Sequence, residues 1–473
     1  MKRRSTVALL VALMLVLSVF LAACGNNNND KANEGNKGNN TNTEANANSG
    51  GSANGNDASE TAGDVDPFKS PDCTPVEITL ITWNTTTYEP LYKQFHEEYP
   101  CITIKPVLPA DGSDAGIIET ITKMEAAGTP ADLTWLTDQG GYMKGKLLED
   151  LTPYIENSAV LKSVTMPDGL MDSFKVNDKR YAVPFVDVPM YMLVNKDLLN
   201  KYGLEMPSNE WTYDDMREMA KAATDPAAGE YGFTNNAIFA IHFMTAMSVA
   251  NGHAPNLSYM NEDLTQSVMA TPGVLEDIKW MQELMTKDGS FPGNKKTGEL
   301  GGSVGNFMNG KTLFDVGGDW VLPPLHKEAK FEWDVLPFPK GSATQATFHI
   351  YGPIGIVAGS KNKEAAWKWI EFHYELETQK FKIDQGSSSF LSDPKIQQFV
   401  QESPMWAGKN QEAVLKTFAM PAPYVGPTIP AFGENPWGGA AGVVMDGADV
   451  NSIIPVVEAW NKKTTEAAAT FGQ

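Results

Sequence analysis

Between residues 76 and 148, short apolar runs alternate with stretches of helical spacing, and this alternation limits the fold more than any other feature of the chain. The runs are 76–83 (VEITLITW), 102–107 and 131–136. Between the first two, Tyr88, Leu91, Tyr92, Phe95 and Tyr99 recur at helical spacing until Pro100 stops them; 117–127 repeats the pattern and ends at Gly128 and Pro130. A strand–helix–strand–helix–strand order needs crossover helices, so it predicts a mainly parallel sheet with right-handed connections. Ligands of such sheets sit beyond the carboxyl ends of the strands. Here those ends are Trp83-Asn84 and Trp135-Leu136-Thr137-Asp138.

The stretch 181–199, YAVPFVDVPMYMLVNKDLL, breaks this rhythm. Tyr181, Val183 and Phe185 share one parity; Val186, Val188, Met190, Met192 and Val194 take the other. Pro184 and Pro189 disfavour a plain central strand. The segment, apolar except for Asp187, reads as a bent strand crossing from one folding unit to another. It runs into a helix at 196–202 that Gly203 closes in the left-handed conformation. Residues 349–357, carrying Gly352-Pro353, read as a second crossing. Between the crossings the chain is mostly helical. Thr212 and Asp215 make a cap, and Thr271-Pro272 starts a helix whose buried stripe is Val274, Ile278, Met281 and Met285. A strand at 313–316 ends in Gly317-Gly318-Asp319-Trp320. A strong amphipathic helix at 364–377 follows the second crossing, and the tail is helical from Asp393-Pro394 onward, broken by a Gly- and Pro-rich stretch at 421–442.

The two ends of the 473-residue chain differ in kind. Lys2, Arg3 and Arg4 precede an apolar run, 6–23, that closes on Leu21-Ala22-Ala23-Cys24. The run approaches the length of a transmembrane helix. Small residues followed at once by Cys resemble the bacterial lipobox, which implies a signal peptide at 1–23 and a lipid on Cys24. Residues 25–66, rich in Asn, Gly, Ala, Ser and Glu, hold scarcely a larger aliphatic or aromatic side chain and read as a disordered tether, with a reach on the order of 35 Å. The body then hangs from the outer face of a cell membrane.

Charge and cysteine content narrow the partners. A net charge of −21 without basic runs after the signal excludes nucleic acid. Beyond the signal the only arginines are Arg180 and Arg217. Bidentate capture of anionic ligands favours arginine, so a neutral ligand is expected. Cys73 and Cys101 each stand just before a predicted strand in an exported, disulfide-permissive setting. They are either bridged or two buried thiols.

Several motifs match a pattern without its context. Gly305 to Thr312 spells the phosphate-cradle signature, but a helix lies inside it and a strand follows, the reverse of the required order. Gly301-Gly-Ser303-Val-Gly305 lacks the strand a nucleophile elbow needs. His96, His242, His253, His326, His349 and His373 show no metal-ligand spacing. Asp111-Gly-Ser-Asp114 and Asp446-Gly-Ala-Asp449 are incomplete as calcium loops. No cofactor, metal or catalytic residue is expected.

What remains is a set of aromatic rings beside carboxylates or amides near strand ends: Trp83-Asn84, Trp135 with Asp138, Asp319-Trp320, and Trp437 in PAFGENPWGG. Such rings face the C–H surfaces of a sugar while the polar groups take its hydroxyls. Asp187 either caps the bent strand or joins them. At these residues the chain resembles the extracellular solute-binding proteins of the maltose/oligosaccharide class, which serve ABC importers. ITWNTTTYEPLYKQFHEEYP, DLTWLTDQGGYMKGKLLEDLTPYI, KRYAVPFVDVPMYMLVNKDLLNKYGL, NGKTLFDVGGDWVLP and YGPIGIVAGSKNKEAAWKWIEF carry the likeness, which covers about 76–470. The resemblance implies an α/β, two-lobed periplasmic-binding-protein-like fold with mainly parallel sheets flanked by helices and about three hinge crossings. The expected lobes are 74–186 plus 353–400 and 187–352 plus 401–473, after a lipidated tether at 24–70. It further implies a monomer at the outer face of the cell membrane of a Gram-positive bacterium. There it binds an oligosaccharide in the cleft, closes on it and meets the permease subunits, and Trp135→Ala or Trp320→Ala weakens sugar binding more than tenfold with the fold intact. A secreted glycoside hydrolase or lyase, and a sugar-sensing lipoprotein without transport, share the same features.

Overall fold

The predicted apolar runs become strands. In the computed structural model, which describes residues 66–471 apart from 71, 84, 86–87, 110, 112, 137–138, 177, 236, 263–264 and 421–436, β1 (Val76–Ile81) pairs in parallel with β2 (Ile102–Val107), Val76 opposite Ile102. β3 (Leu133–Trp135) lies parallel on the other side of β1. The intervening helices are Glu89–Glu98 and Asp114–Ala126, the second capped by Ser113, whose side chain accepts from the Gly116 amide. A hairpin of β4 (Lys175–Val176) and β5 (Lys179–Arg180) precedes β6 (Val183–Pro189).

At Met190 the chain leaves this sheet. β7 (Tyr191–Asn195) opens a second sheet with β8 (Tyr231–Thr234), β9 (Thr312–Gly317) and β10 (Trp333–Leu336), and β11 (His349–Ile356) returns to the first. The orders are β2-β1-β3-β11-β6 and β10-β7-β9-β8. Both sheets are mixed rather than mainly parallel: β11 runs antiparallel to β3 and β6, and β7 antiparallel to β9 and β10. The cause is the direction of travel. β6 leaves the first sheet and β11 enters it, so each must oppose the other, and β11 also opposes the outgoing β3. Parallel pairing survives where helices carry the chain back, as at β1–β2, β1–β3 and β8–β9.

The crossing strands form a two-stranded ribbon, with His349 opposite Pro189, Ile350 opposite Val188 and Tyr351 opposite Asp187. Pro184 faces Pro353, and a bulge at Gly352/Pro353 absorbs the donors these residues lack. The ladder continues past the strands, the Met190 amide donating to the Phe348 carbonyl at 2.9 Å. On β7 the parity read from the sequence separates two cores. Tyr191 and Leu193 belong to the first sheet's cluster, Tyr191 packing on Trp406, whereas Met190, Met192 and Val194 join the second.

Local expectations largely meet their residues. Thr212 and Asp215 form the reciprocal capping box, and Gly203 takes φ +65° after the helix Lys196–Lys201. In the helix Pro272–Thr286 the stripe runs Val274, Ile278, Met281, Leu284, with Leu284 and not Met285 fully buried. The phosphate-cradle look-alike is a helix, Gly302–Met308, then Gly310 at φ +70° and β9. Its Lys311 reaches Glu230 at 3.1 Å instead of a phosphate. No described helix is long and apolar enough to cross a membrane.

Cys73 and Cys101 are joined by a disulfide, their Cα atoms 5.9 Å apart, because β1 and β2 pair in register just beyond them. The bridge closes a 28-residue separation. Replacing both cysteines by serine is expected to lower the unfolding free energy by about 2–4 kcal/mol. Urea denaturation checks this, and an unchanged midpoint would show that the bridge adds no stability.

Candidate functional site

Where the β6–β11 ribbon passes between the sheets, it leaves a cavity of about 400 Å³, at the small end of the size range of small-molecule sites. β6 supplies Val186, Asp187 and Val188. The turn after β9 supplies Asp319 and Trp320; Tyr88, Lys382 and Ser388 come from segments beside the first sheet. The local sequence explains the Trp320 position. β9 ends at Gly317-Gly318, and a Cβ on Gly318 would stand 2.5 Å from the Trp320 ring and 2.7 Å from Val188 Cγ1. Only glycine lets the turn Asp319–Val321 fold this closely onto the crossing strand. Trp320 stacks on Phe239 with ring centres 5.3 Å apart, yet keeps 40% of its surface exposed.

The polar wall is a small network. His349 Nδ1 and Asp187 Oδ1 are 2.7 Å apart, a same-face contact between facing strands. Ser388 Oγ donates to the Asp187 backbone carbonyl at 2.6 Å. Asp319 Oδ2 accepts from the Ser388 amide at 2.5 Å and lies 2.8 Å from the Ser388 hydroxyl. Burial shapes the charges. It pushes the Asp319 carboxyl up to about 7, with the Asp187 charge adding to the rise, while Ser388 and Lys382 pull the other way. Burial also draws the Lys382 ammonium down to about 8, against the attraction of Asp319 and Asp187. Desolvation raises the Tyr88 phenol, so it stays a neutral donor.

Of the residues singled out from sequence, Asp187, Asp319 and Trp320 meet in this cavity. Trp83 and Trp135 do not line it. Trp135 is 7% exposed and held edge-on by Trp83, Tyr88 and Phe185, at 5.5, 5.2 and 5.7 Å between ring centres. Its truncation would therefore remove core packing, where Trp320 offers an open face. Trp437 opens the helix Trp437–Asp446, with its side chain outside the described residues. Asn84, Asp138 and Cys24 also lie outside them. Among the described residues no group of three His, Cys, Asp or Glu side chains could hold a metal ion. Tyr88, His349, Lys382 and Ser388 carry no sequence signal for the site; only the fold brings them there.

The sequence profile of the family described as Bacterial extracellular solute-binding protein matches residues 82–380. A maltotriose-binding protein of Pyrococcus abyssi is 25% identical over 350 residues, 69% of each chain. Among solved structures, an ABC substrate-binding protein from Listeria monocytogenes in complex with cycloalternan has a TM-score of 0.68 at 22% identity, covering 84% of this chain and 99% of that one. UgpB from Mycobacterium tuberculosis, in complex with glycerophosphocholine, also gives 0.68, at 15% identity over 83% of this chain and 98% of its own. The two-lobed α/β fold is shared with these structures.

The raised Asp319 carboxyl makes stability depend on pH in a defined direction. The unfolded chain ionises this group near its ordinary value of 3.8, the folded chain only near 7. Its contribution is thus whole below about pH 4 and falls as pH rises to about 7. Asp319→Asn lacks this titration. Relative to wild type, its melting temperature is expected to rise between pH 4 and 7, as calorimetry would show; parallel profiles would mean that Asp319 ionises normally.

Proposed function

We infer the function from one premise: the chain belongs to the bacterial extracellular solute-binding proteins. It binds a carbohydrate, an oligosaccharide, in the cavity beside the crossing strands and delivers it to an ABC-type permease. The observation that carries this reading is the cavity itself, where the exposed ring of Trp320 stands beside carboxylates supplied by both the ribbon and the turn after β9. An aromatic face next to directional acceptors is the pairing a sugar requires. A sugar ligand also accords with the maltotriose-binding relative. The two arginines add to the case for a neutral ligand. Arg180 pairs with Asp172, and Arg217 with Asp288 and Glu283, so neither serves the cavity.

The division into lobes at 74–186 plus 353–400 and 187–352 plus 401–473 gives the cavity its two walls. A ligand that bridges both walls favours the closed form, which the permease recognises. No bond in the ligand is made or broken. Lipid on Cys24 and the tether behind it hold the monomeric body at the outer face of the cell membrane.

A thermal-shift screen against mono-, di- and trisaccharides and alditols tests the reading. A bound sugar at one hundred times its Kd adds about 2.7 kcal/mol of stability, enough to raise the melting temperature measurably. Trp320→Ala is expected to weaken binding more than tenfold without moving the unliganded melting temperature. No shift with any carbohydrate, or hydrolysis of the sugar that binds, would overturn the assignment.

A further inference from the structure

Hydrogen bonds tie Asp187, Asp319 and Ser388 together in the cavity wall, and two groups there stand apart from them. Asp187 meets His349 and Ser388, and Asp319 Oδ2 meets Ser388 twice. Asp319 Oδ1, although buried, has no hydrogen-bond partner among the described residues. Lys382 is the complementary case. Its side chain is 6% exposed and lines the same cavity, and its ammonium stands over the Phe390 ring at 5.2 Å. Among the described residues it makes no side-chain hydrogen bond or ion pair, and the opposite charges acting on it are Asp319 and Asp187. A buried acceptor and a buried cation that face one cavity without meeting each other are both costly when left unfilled.

One type of ligand group answers both at once. A hydroxyl donates its proton to Asp319 Oδ1 and accepts from Lys382 Nζ, and two neighbouring hydroxyls can divide the task. A carboxylate or phosphate would satisfy Lys382 but bring a second negative charge against Asp319 and Asp187. An ammonium would satisfy Asp319 but oppose Lys382. We propose that Lys382 and Asp319 form a donor–acceptor clamp that selects a neutral, hydroxyl-rich ligand and rejects the acidic form of the same skeleton. This deepens the carbohydrate reading and rests on it. Lys382 lies on the helix Leu376–Asp384 and Asp319 follows β9, so a clamped hydroxyl ties together two segments far apart in the chain.

Titration calorimetry with maltotriose, cellobiose, xylobiose and mannitol, each against its aldonic acid, tests the clamp in the wild-type protein. The neutral member of the bound pair is expected to bind at least tenfold more tightly than its acid. Lys382→Met, close in length and uncharged, is expected to weaken the neutral ligand more than tenfold, and Asp319→Asn, which removes a carboxylate that repels the acid, to narrow the gap between the two. Equal or tighter binding of the acid by wild type would overturn the clamp without recourse to any variant. So would unchanged affinity in Lys382→Met while Trp320→Ala loses binding, and in that case the sugar site itself stands. Binding of none of the four pairs would sink the carbohydrate reading and the clamp with it.

Discussion

Two strands that run in opposite directions between sheets satisfy one another's backbones along the crossing. β6 and β11 do so through a ladder that continues from Val183 opposite Ile354 to the Met190–Phe348 bond. Unpaired amides at this depth would be costly, so the ribbon must stay intact wherever the two sheets go. Much else follows from it. Opposite travel makes both sheets mixed, and the prolines force the bulge at Gly352/Pro353. The ribbon also sets Asp187 and His349 on one face, close enough for a 2.7 Å contact, at the edge of the cavity.

The same ribbon decides where charge can be buried. Asp187 is 9% exposed and keeps a strong partner from the facing strand. Asp319 arrives from the second sheet and finds only Ser388, a neutral donor, for one of its oxygens. Burial therefore governs its proton affinity, just as burial governs that of Lys382 in the other direction. Burial thus disfavours the charged form of both groups. A site of this kind favours ligands that exchange hydrogen bonds over ligands that bring charge.

Much of this was legible in the chain because it depended on period and parity. Alternation placed β1, β2 and β3, and the switch of parity after Phe185 marks the residues that β7 sends to two different cores. The helix inside the phosphate-cradle look-alike could be read for the same reason, since a turn glycine followed by an apolar run fixes the order of elements. Strand direction was not legible: a βαβ pattern says nothing about a later strand that arrives from another sheet. Ring exposure was not legible either. Trp135 and Trp320 both sit at strand ends beside acids, but Tyr88 folds against the first, whereas Gly318 turns the second onto Val188 and into the cavity. Lys382 and Ser388 come from a segment about 60 residues beyond Asp319, and no local pattern joins them.

Leaving Asp319 Oδ1 and Lys382 unfilled costs the unliganded protein stability that a simpler wall would retain. An apolar pair there would pack at least as well and would bind nothing selectively. Under the proposed clamp the cost is recovered only when a ligand fills both groups, which lie on the helix Leu376–Asp384 and on the turn after β9. Filling them therefore stabilises the arrangement in which those segments are close together, and no other. Under the proposed clamp, selectivity for the ligand and preference for the closed form have a single source, because one set of buried groups sets both.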